Sequence, residues 1–351
     1  MDRRSFLFAA SGVAALARFE GLSPAQAADL PEPGWRRFEL VTEVDLAEQA
    51  EPAQLWLPLA GTVAGQQKKI AVTVETNGAL LYEQDARYGA DLAKISWTAP
   101  GRRSATLTQI VDTEGRGLTP ASLDAAERAF WLAPTPSVPT DGIVAETAAR
   151  LVGERRDPEE KLRAIYDWVV DNTFREGSTR GCGTGDIKSM LTTGWLGGKC
   201  ADINSLMTGL ARAAGMPARD VYGIRVAPSR ESRSLGAEGD VTKAQHCRCE
   251  IYLDGKGWLP VDPADVRKVV LEEKAPLDSD HVRAQRARLF GSWEMNWVGY
   301  NSATDIVLPG ALRPIASNFL MYPCGMTAKD ELDCLDPGHF SYRITSREIL
   351  A

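Results

Sequence analysis

The stretch Gly197-Gly198-Lys199-Cys200-Ala201-Asp202-Ile203-Asn204-Ser205-Leu206-Met207 sets one cysteine where glycines give way to a helical pattern. Downstream, Ile203, Leu206, Met207, Leu210 and Ala214 recur with the spacing of one apolar helix face. Gly215 and Pro217 then supply a helix stop. Cys200 therefore belongs to the first turn, beside backbone N–H groups that lack an intrahelical acceptor. Those donors and the helix dipole favour a thiolate. A sulfur at that place can be a nucleophile, half of a disulfide or a small core residue. The preceding glycines would let a substrate carbonyl approach it closely.

A second element runs from Gln245 to Leu253. Alternation puts His246, Arg248, Glu250 and Tyr252 on one face, and Cys247, Cys249, Ile251 and Leu253 on the other. The two cysteines flanking the histidine read as core thiols, while His246 points toward polar company. The turn Asp254-Gly255-Lys256-Gly257 and the run Trp258 to Val261 complete a hairpin, with Asp262 next. For Asp262 to share the face of His246, the loop must be odd in length, or bulged at Gly257, so that 262 pairs with 248 or 246. An even loop would set it opposite Cys249. A zinc site from Cys200, His246, Cys247 and Cys249 fails on the same alternation, because its ligands face opposite sides.

A cysteine at a helix start, a histidine on a strand and an aspartate on the next strand, in that order, resemble the transglutaminase-like branch of the papain-type thiol enzymes. The likeness rests on "GGKCADINSLMTGLARAAGMPARDVYGIRV" and "HCRCEIYLDGKGWLPVDPA", and covers about residues 157–270. It implies an α+β catalytic domain and a triad of Cys200, His246 and Asp262, with acyl transfer through a thioester. The Cys200 N–H would form part of an oxyanion hole. Trp195 is the nearest candidate for a second donor, and reads better as a packing residue. No metal or organic cofactor is implied, and no EF-hand-like oxygen cluster is present in the sequence. Hydrolysis is favoured over crosslinking by analogy with bacterial members of the superfamily. The alternative from another class is a non-catalytic envelope binding protein that retains the fold.

The first 27 residues read as an export signal. Arg3 and Arg4 precede an apolar run from Phe6 to Ala17, and Ala25-Gln26-Ala27 is a cleavage pattern. The order Arg3-Arg4-Ser5-Phe6-Leu7 resembles the twin-arginine class, so a periplasmic or secreted protein is expected. The whole chain carries a formal charge of −7 and has no basic block, which argues against a nucleic-acid partner. No integral membrane segment is expected after the signal. The partner is expected to be a peptide, a protein or a small amide.

Residues 28–135 are expected to form an antiparallel β-sandwich. Phe38, Leu40, Thr42, Val44 and Leu46 alternate, as do Ile70, Val72 and Val74, and no helix is evident through Leu132. The Pro-rich segment Ala133 to Gly142 marks a boundary, and residues 143–351 are expected to form the catalytic domain with strands at its C-terminal end. Asp157-Pro158-Glu159-Glu160 is a helix start. Cys324 and Cys334 could bridge or stay unpaired, and Cys182 could be a rim thiol or a disulfide partner. His281 and His339 read as surface residues, and the C-terminal tryptophans and tyrosines as scaffold.

Overall fold

The computed structural model describes residues 31, 34–49, 51–63 and 65–350, so the expected export signal lies outside the described residues. Six strands open the fold: β1 (Arg36–Gln49), β2 (Ala53–Pro58), β3 (Gln67–Thr76), β4 (Ala79–Gln84), β5 (Asp91–Trp97) and β6 (Gly101–Thr113). The middle of the chain carries α1 (Ala125–Leu132), α2 (Gly142–Val152), α3 (Pro158–Asn172), β7 (Phe174–Arg175), α4 (Ile187–Thr193), β8 (Gly197–Gly198) and α5 (Cys200–Ala213). Then come β9 (Ala218–Arg225), β10 (Gly239–Asp240), β11 (Gln245–Leu253), β12 (Gly257–Val261), α6 (Pro263–Glu272) and α7 (Asp280–Arg288). The chain closes with β13 (Trp297–Asn301), β14 (Thr304–Val307), β15 (Ala316–Phe319), β16 (Cys324–Thr327), β17 (Glu331–Leu332) and β18 (Phe340–Ile349).

Two five-stranded sheets, ordered β10-β18-β1-β6-β3 and β17-β16-β2-β5-β4, share one core. Val44, Leu46, Leu55, Leu57, Ile95, Leu107 and Phe340 meet there, contributed by both sheets, so the expected β-sandwich is present. The alternation along β1 sends Phe38, Leu40, Thr42, Val44 and Leu46 inward, all buried. The antiparallel sheet β12-β11-β9-β13 is separate and packs against α5. The α+β class follows from helices gathered on that smaller sheet.

Two features depart from the sequence reading. The first is α1, which falls where no helix was evident. It buries no residue completely and so shows no apolar stripe, but Asp124 and Glu127 form a reciprocal capping box that starts it. The second concerns the C-terminal strands. Only β13 of them joins the smaller sheet: β18 runs antiparallel to β1 from Arg37↔Ile349 to Leu46↔Phe340, and β16 pairs with β2. The sandwich is thus built from both ends of the chain, because the hydrogen-bonding edges of β1 and β2 have no other strand to satisfy them.

The helix that starts at Cys200 is buried on every side through Arg212, and not along one stripe. Its polar residues find partners inside the fold. Ser205 and Thr208 donate to Asp220 of β9 at 2.9 and 2.8 Å, and burial pushes that carboxyl up to about 6. Arg212 donates to the carbonyl of Ala218 at 2.9 Å. A central helix with every polar group paired is rigid, which suits a residue whose placement matters.

Because β18 and β16 complete the two sheets, a fragment of residues 34–135 is expected not to fold as a cooperative unit. Thermal unfolding followed by near-ultraviolet circular dichroism checks this; addition of a peptide spanning β16 to β18 should restore order.

Candidate active site

Asp157 caps α3 by accepting from Glu160 N at 2.9 Å, as the sequence indicated, and α3 packs against α5. The start of α5 is held from the other direction. The carboxylate of Asp202 accepts from Thr184 N (2.9 Å), Gly185 N (3.0 Å) and Lys199 N (2.9 Å). It thereby ties the loop at 182–185 to the first turn. A side chain at Gly183 (φ +91°) would strike this carboxylate at 1.8 Å, and one at Gly198 at 2.5 Å. The glycines around Cys200 are therefore needed to seat a buried aspartate, which differs from the substrate-approach role expected of them. Ala201 N donates to the carbonyl of Cys182 at 3.0 Å. The N–H of Cys200, the first helical residue, has no intrahelical acceptor.

The hairpin meets its parity condition. Cys249 pairs with Val261 and Leu253 with Gly257, leaving the three-residue loop Asp254 to Lys256, so position 262 falls opposite Arg248. Asp262 consequently shares the face of His246, and its Oδ2 lies 2.7 Å from His246 Nε2. That leaves Nδ1 as the imidazole nitrogen available to Cys200. Asp262 is also the N-cap of α6, its Oδ1 accepting from Asp265 N at 3.1 Å. Asn204, one turn along α5, donates to Asp262 Oδ1 at 3.1 Å and to the Cys247 carbonyl at 2.8 Å. Cys200, His246 and Asp262 are all buried, at 3%, 1% and 0% exposure.

Four further residues complete the cluster, and of these the sequence reading had considered Cys182, as a rim thiol or a disulfide partner. Asp265 Oδ1 lies 3.3 Å from His246 Nε2, as a second carboxylate partner. Arg225 of β9 is ion-paired with Asp265, and Arg248 Nε sits 3.4 Å from Asp262 while its guanidinium stacks over Trp297. Two arginines thus balance two aspartates, and a proton moving from Cys200 to His246 does so inside a frame with no net charge. His246, Asp262 and Asp265 also have the donor types and proximity of a metal site. Arg225 and Arg248 already supply the cationic partners of those carboxylates. The fourth residue is Cys182, whose thiol accepts from Tyr322 Oη at 3.0 Å and whose sulfur lies 3.4 Å from the Gln245 carbonyl. The i, i+3 spacing in Asp262-Pro263-Ala264-Asp265 was the available signal for Asp265. Nothing local marks Arg225.

The electrostatics favour an ion pair. Hydrogen bonds from Cys182 and Cys247 hold the Cys200 thiol well below its ordinary value, against burial and assisted by His246. Burial and Arg225 push His246 down, but Asp265 and Asp262 outweigh them and carry it up to about 9. Burial also raises Asp265, yet Arg225, His246 and Arg248 hold its carboxyl well below the usual range. Arg248 is lowered to about 10 by burial. Both directions favour a thiolate–imidazolium pair.

A family model described as the transglutaminase-like superfamily matches residues 145–263, which hold all three of Cys200, His246 and Asp262. The chain belongs to the transglutaminase-like superfamily. An uncharacterized protein of Haemophilus influenzae is 38% identical over 323 residues, covering 84% of this chain and 86% of that relative. Among solved structures, a candidate cysteine protease of Cytophaga hutchinsonii superimposes with a TM-score of 0.52 at 17% identity, over 89% of this chain and 98% of its own. That likeness extends the shared fold beyond the family domain and across the β-rich front half.

The remaining assignments fall as follows. Trp195 is 59% exposed, stacks edge-on against Phe174, and does not line the cavity at Cys200. All six cysteines are free thiols, Cys324 and Cys334 included. His281 and His339 lie at the surface, beside Glu273 and Asp336. The C-terminal tyrosines are not mere scaffold: Tyr322 and Tyr342 line the cavity over Cys200, which has a volume of about 330 Å³. Among the described residues, no helix is long and apolar enough to cross a membrane.

Two outcomes are expected from these contacts. Asn204→Ala removes one donor from the Cys247 carbonyl and one from Asp262 Oδ1, which keeps the Asp265 N–H, and should cost about 1–3 kcal/mol in urea unfolding. Alkylation of Cys200 by iodoacetamide, followed by peptide mass, should persist far below the ordinary thiol range. In His246→Ala its midpoint should rise, while the contacts from Cys182 and Cys247 keep it below the free-thiol value of about 8.5.

Proposed function

We propose that this protein is a cysteine-dependent acyl-transfer enzyme that cleaves or exchanges amide bonds through a thioester on Cys200, with hydrolysis as its main outcome. The observation that carries the reading is the His246–Asp262 contact of 2.7 Å beside a thiol at a helix N-terminus, with a cavity above it. The similarity to a structure named as a candidate cysteine protease agrees with it.

In this reading the Cys200 thiolate adds to the amide carbonyl carbon. Charge on the carbonyl oxygen meets the free N–H of Cys200 at the positive end of α5. Collapse expels the amine, which takes the Nδ1 proton of His246, and a thioester remains. A water then attacks the thioester, giving its proton to His246. The C–S bond breaks, the acid leaves, and thiolate and imidazolium return. An amine in place of water gives exchange. Asp262 acts by holding the ring through Nε2 and stabilising its charged form, a role it shares with Asp265. The same proposal places the enzyme outside the cytoplasm, on the strength of residues 1–27; a fusion of those residues to a reporter tests it by fractionation.

Hydrolysis of a fluorogenic peptide library is the direct test. Cys200→Ala and His246→Ala should abolish it, and Asp262→Asn should lower kcat by about 10²-fold or more. In wild type the rate should fall as pH rises through about 9, where His246 loses the proton owed to the leaving amine, while alkylation of Cys200 does not fall. Full activity in Cys200→Ala overturns the reading.

A further inference from the structure

The cavity above Cys200 has two unlike walls. One is apolar and comes from the C-terminal segment, with Leu335, Pro337, Phe340 and Tyr342. The other is cationic, with Arg175, Arg180, Lys199, Arg225 and Lys243. No aspartate or glutamate lines the cavity, although the chain as a whole carries −7. The local sign is therefore opposite to that of the molecule.

Three of these cations are already matched. Arg225 pairs with Asp265, Arg175 with Glu272 at 3.1 Å, and Arg180 with Asp333 at 2.6 Å. Among the described residues, Lys199 and Lys243 have no carboxylate within ion-pair distance. Glu176 is the acidic group whose charge reaches Lys199. Both lysines line the cavity and lie close in sequence to the reacting pair: Lys199 immediately precedes Cys200, and Lys243 stands three residues before His246. Lys199 is half-buried, which limits its solvation and strengthens its attraction for an anion, while Lys243 is exposed at the mouth. Low-dielectric walls on one side focus that field into the cavity.

We infer that the acyl donor is an anionic peptide or amide, with a carboxylate beside the scissile carbonyl that is received between Lys199 and Lys243. The inference rests on Cys200 being the nucleophile. The apolar wall would take the uncharged part of the same substrate. A carboxylate there meets two unmatched ammonium groups, which a cationic side chain would meet as like charges.

The experiment compares iodoacetate, which is anionic, with iodoacetamide, which is neutral, as alkylators of the full chain, scoring each cysteine by peptide mass. The readout is the ratio of the two rates at Cys200, relative to the same ratio in the urea-unfolded protein. Wild type is expected to favour iodoacetate by about fivefold to tenfold at low salt, falling as salt rises. Lys243→Gln should lower the ratio, Lys243→Arg should retain it, and Lys199→Gln/Lys243→Gln should bring it to the unfolded value. Lys243→Glu, a change at an exposed position, keeps the test usable where the double variant folds poorly, and should invert the preference. Rapid alkylation by iodoacetamide with no preference for iodoacetate overturns the anionic-substrate inference and leaves the nucleophile standing. A preference that survives the double variant also overturns it, because the attraction then belongs to His246 and Arg225. Slow reaction of Cys200 with both reagents overturns the proposed function itself, and this inference with it.

Discussion

The carboxylate of Asp262 accepts from three directions at once: His246 Nε2 at 2.7 Å, Asn204 Nδ2 at 3.1 Å and Asp265 N at 3.1 Å. Each bond comes from a different element, β11, α5 and α6, so one buried side chain locks the sheet, the central helix and the following helix together. Leaving such a group unpaired would be costly, since each buried acceptor without a donor forfeits about 1–3 kcal/mol. The geometry that orients the imidazole is therefore the same geometry that holds the smaller sheet against α5. Structural and chemical demands coincide at this residue.

The surrounding charges follow from that placement. A lone buried carboxylate would be driven to its neutral form, and Asp262 is indeed raised by burial and by Asp265. Arg225 and Arg248 answer both aspartates, and aromatic rings from the loop before β13 and from β13 itself cover Arg248. Such an arrangement keeps the thiol–imidazole pair in a dry, charge-balanced setting, where small proton shifts have large electrostatic effects. Cys182 and Cys247 sit against the same sulfur, so the reduced state of these thiols is a condition for the ion pair to exist.

The β-sandwich is coupled to this site through its last strand. β18 joins β1 across the whole length of the chain, and its Phe340 and Tyr342 form part of the cavity wall. The front half thus does more than precede the site. It supplies apolar lining to the cavity that Lys199 and Lys243 also line.

Local physics made some of this readable from residues alone. The apolar spacing after Cys200, the alternation that parted His246 from Cys247, the cap at Asp157 and the inward residues of β1 all depend on neighbours within a few positions. The hairpin needs an odd loop to put Asp262 on the face of His246, and it has one of three residues. Other features had no local signature. The polar residues of α5 lie off its apolar stripe, and sequence pattern cannot show that Asp220 and Asp262 wait beside them. The helix α1 lacked an apolar stripe, although its capping box was in plain sight. Arg225, Cys182 and the tyrosines of the cavity come from distant segments that only chain closure brings together. Sequence by itself determined which residues could carry the chemistry, through periodicity and backbone capping. Tertiary structure decided which of them meet, which charges are balanced and which lysines are left over, because burial and long-range pairing set those outcomes.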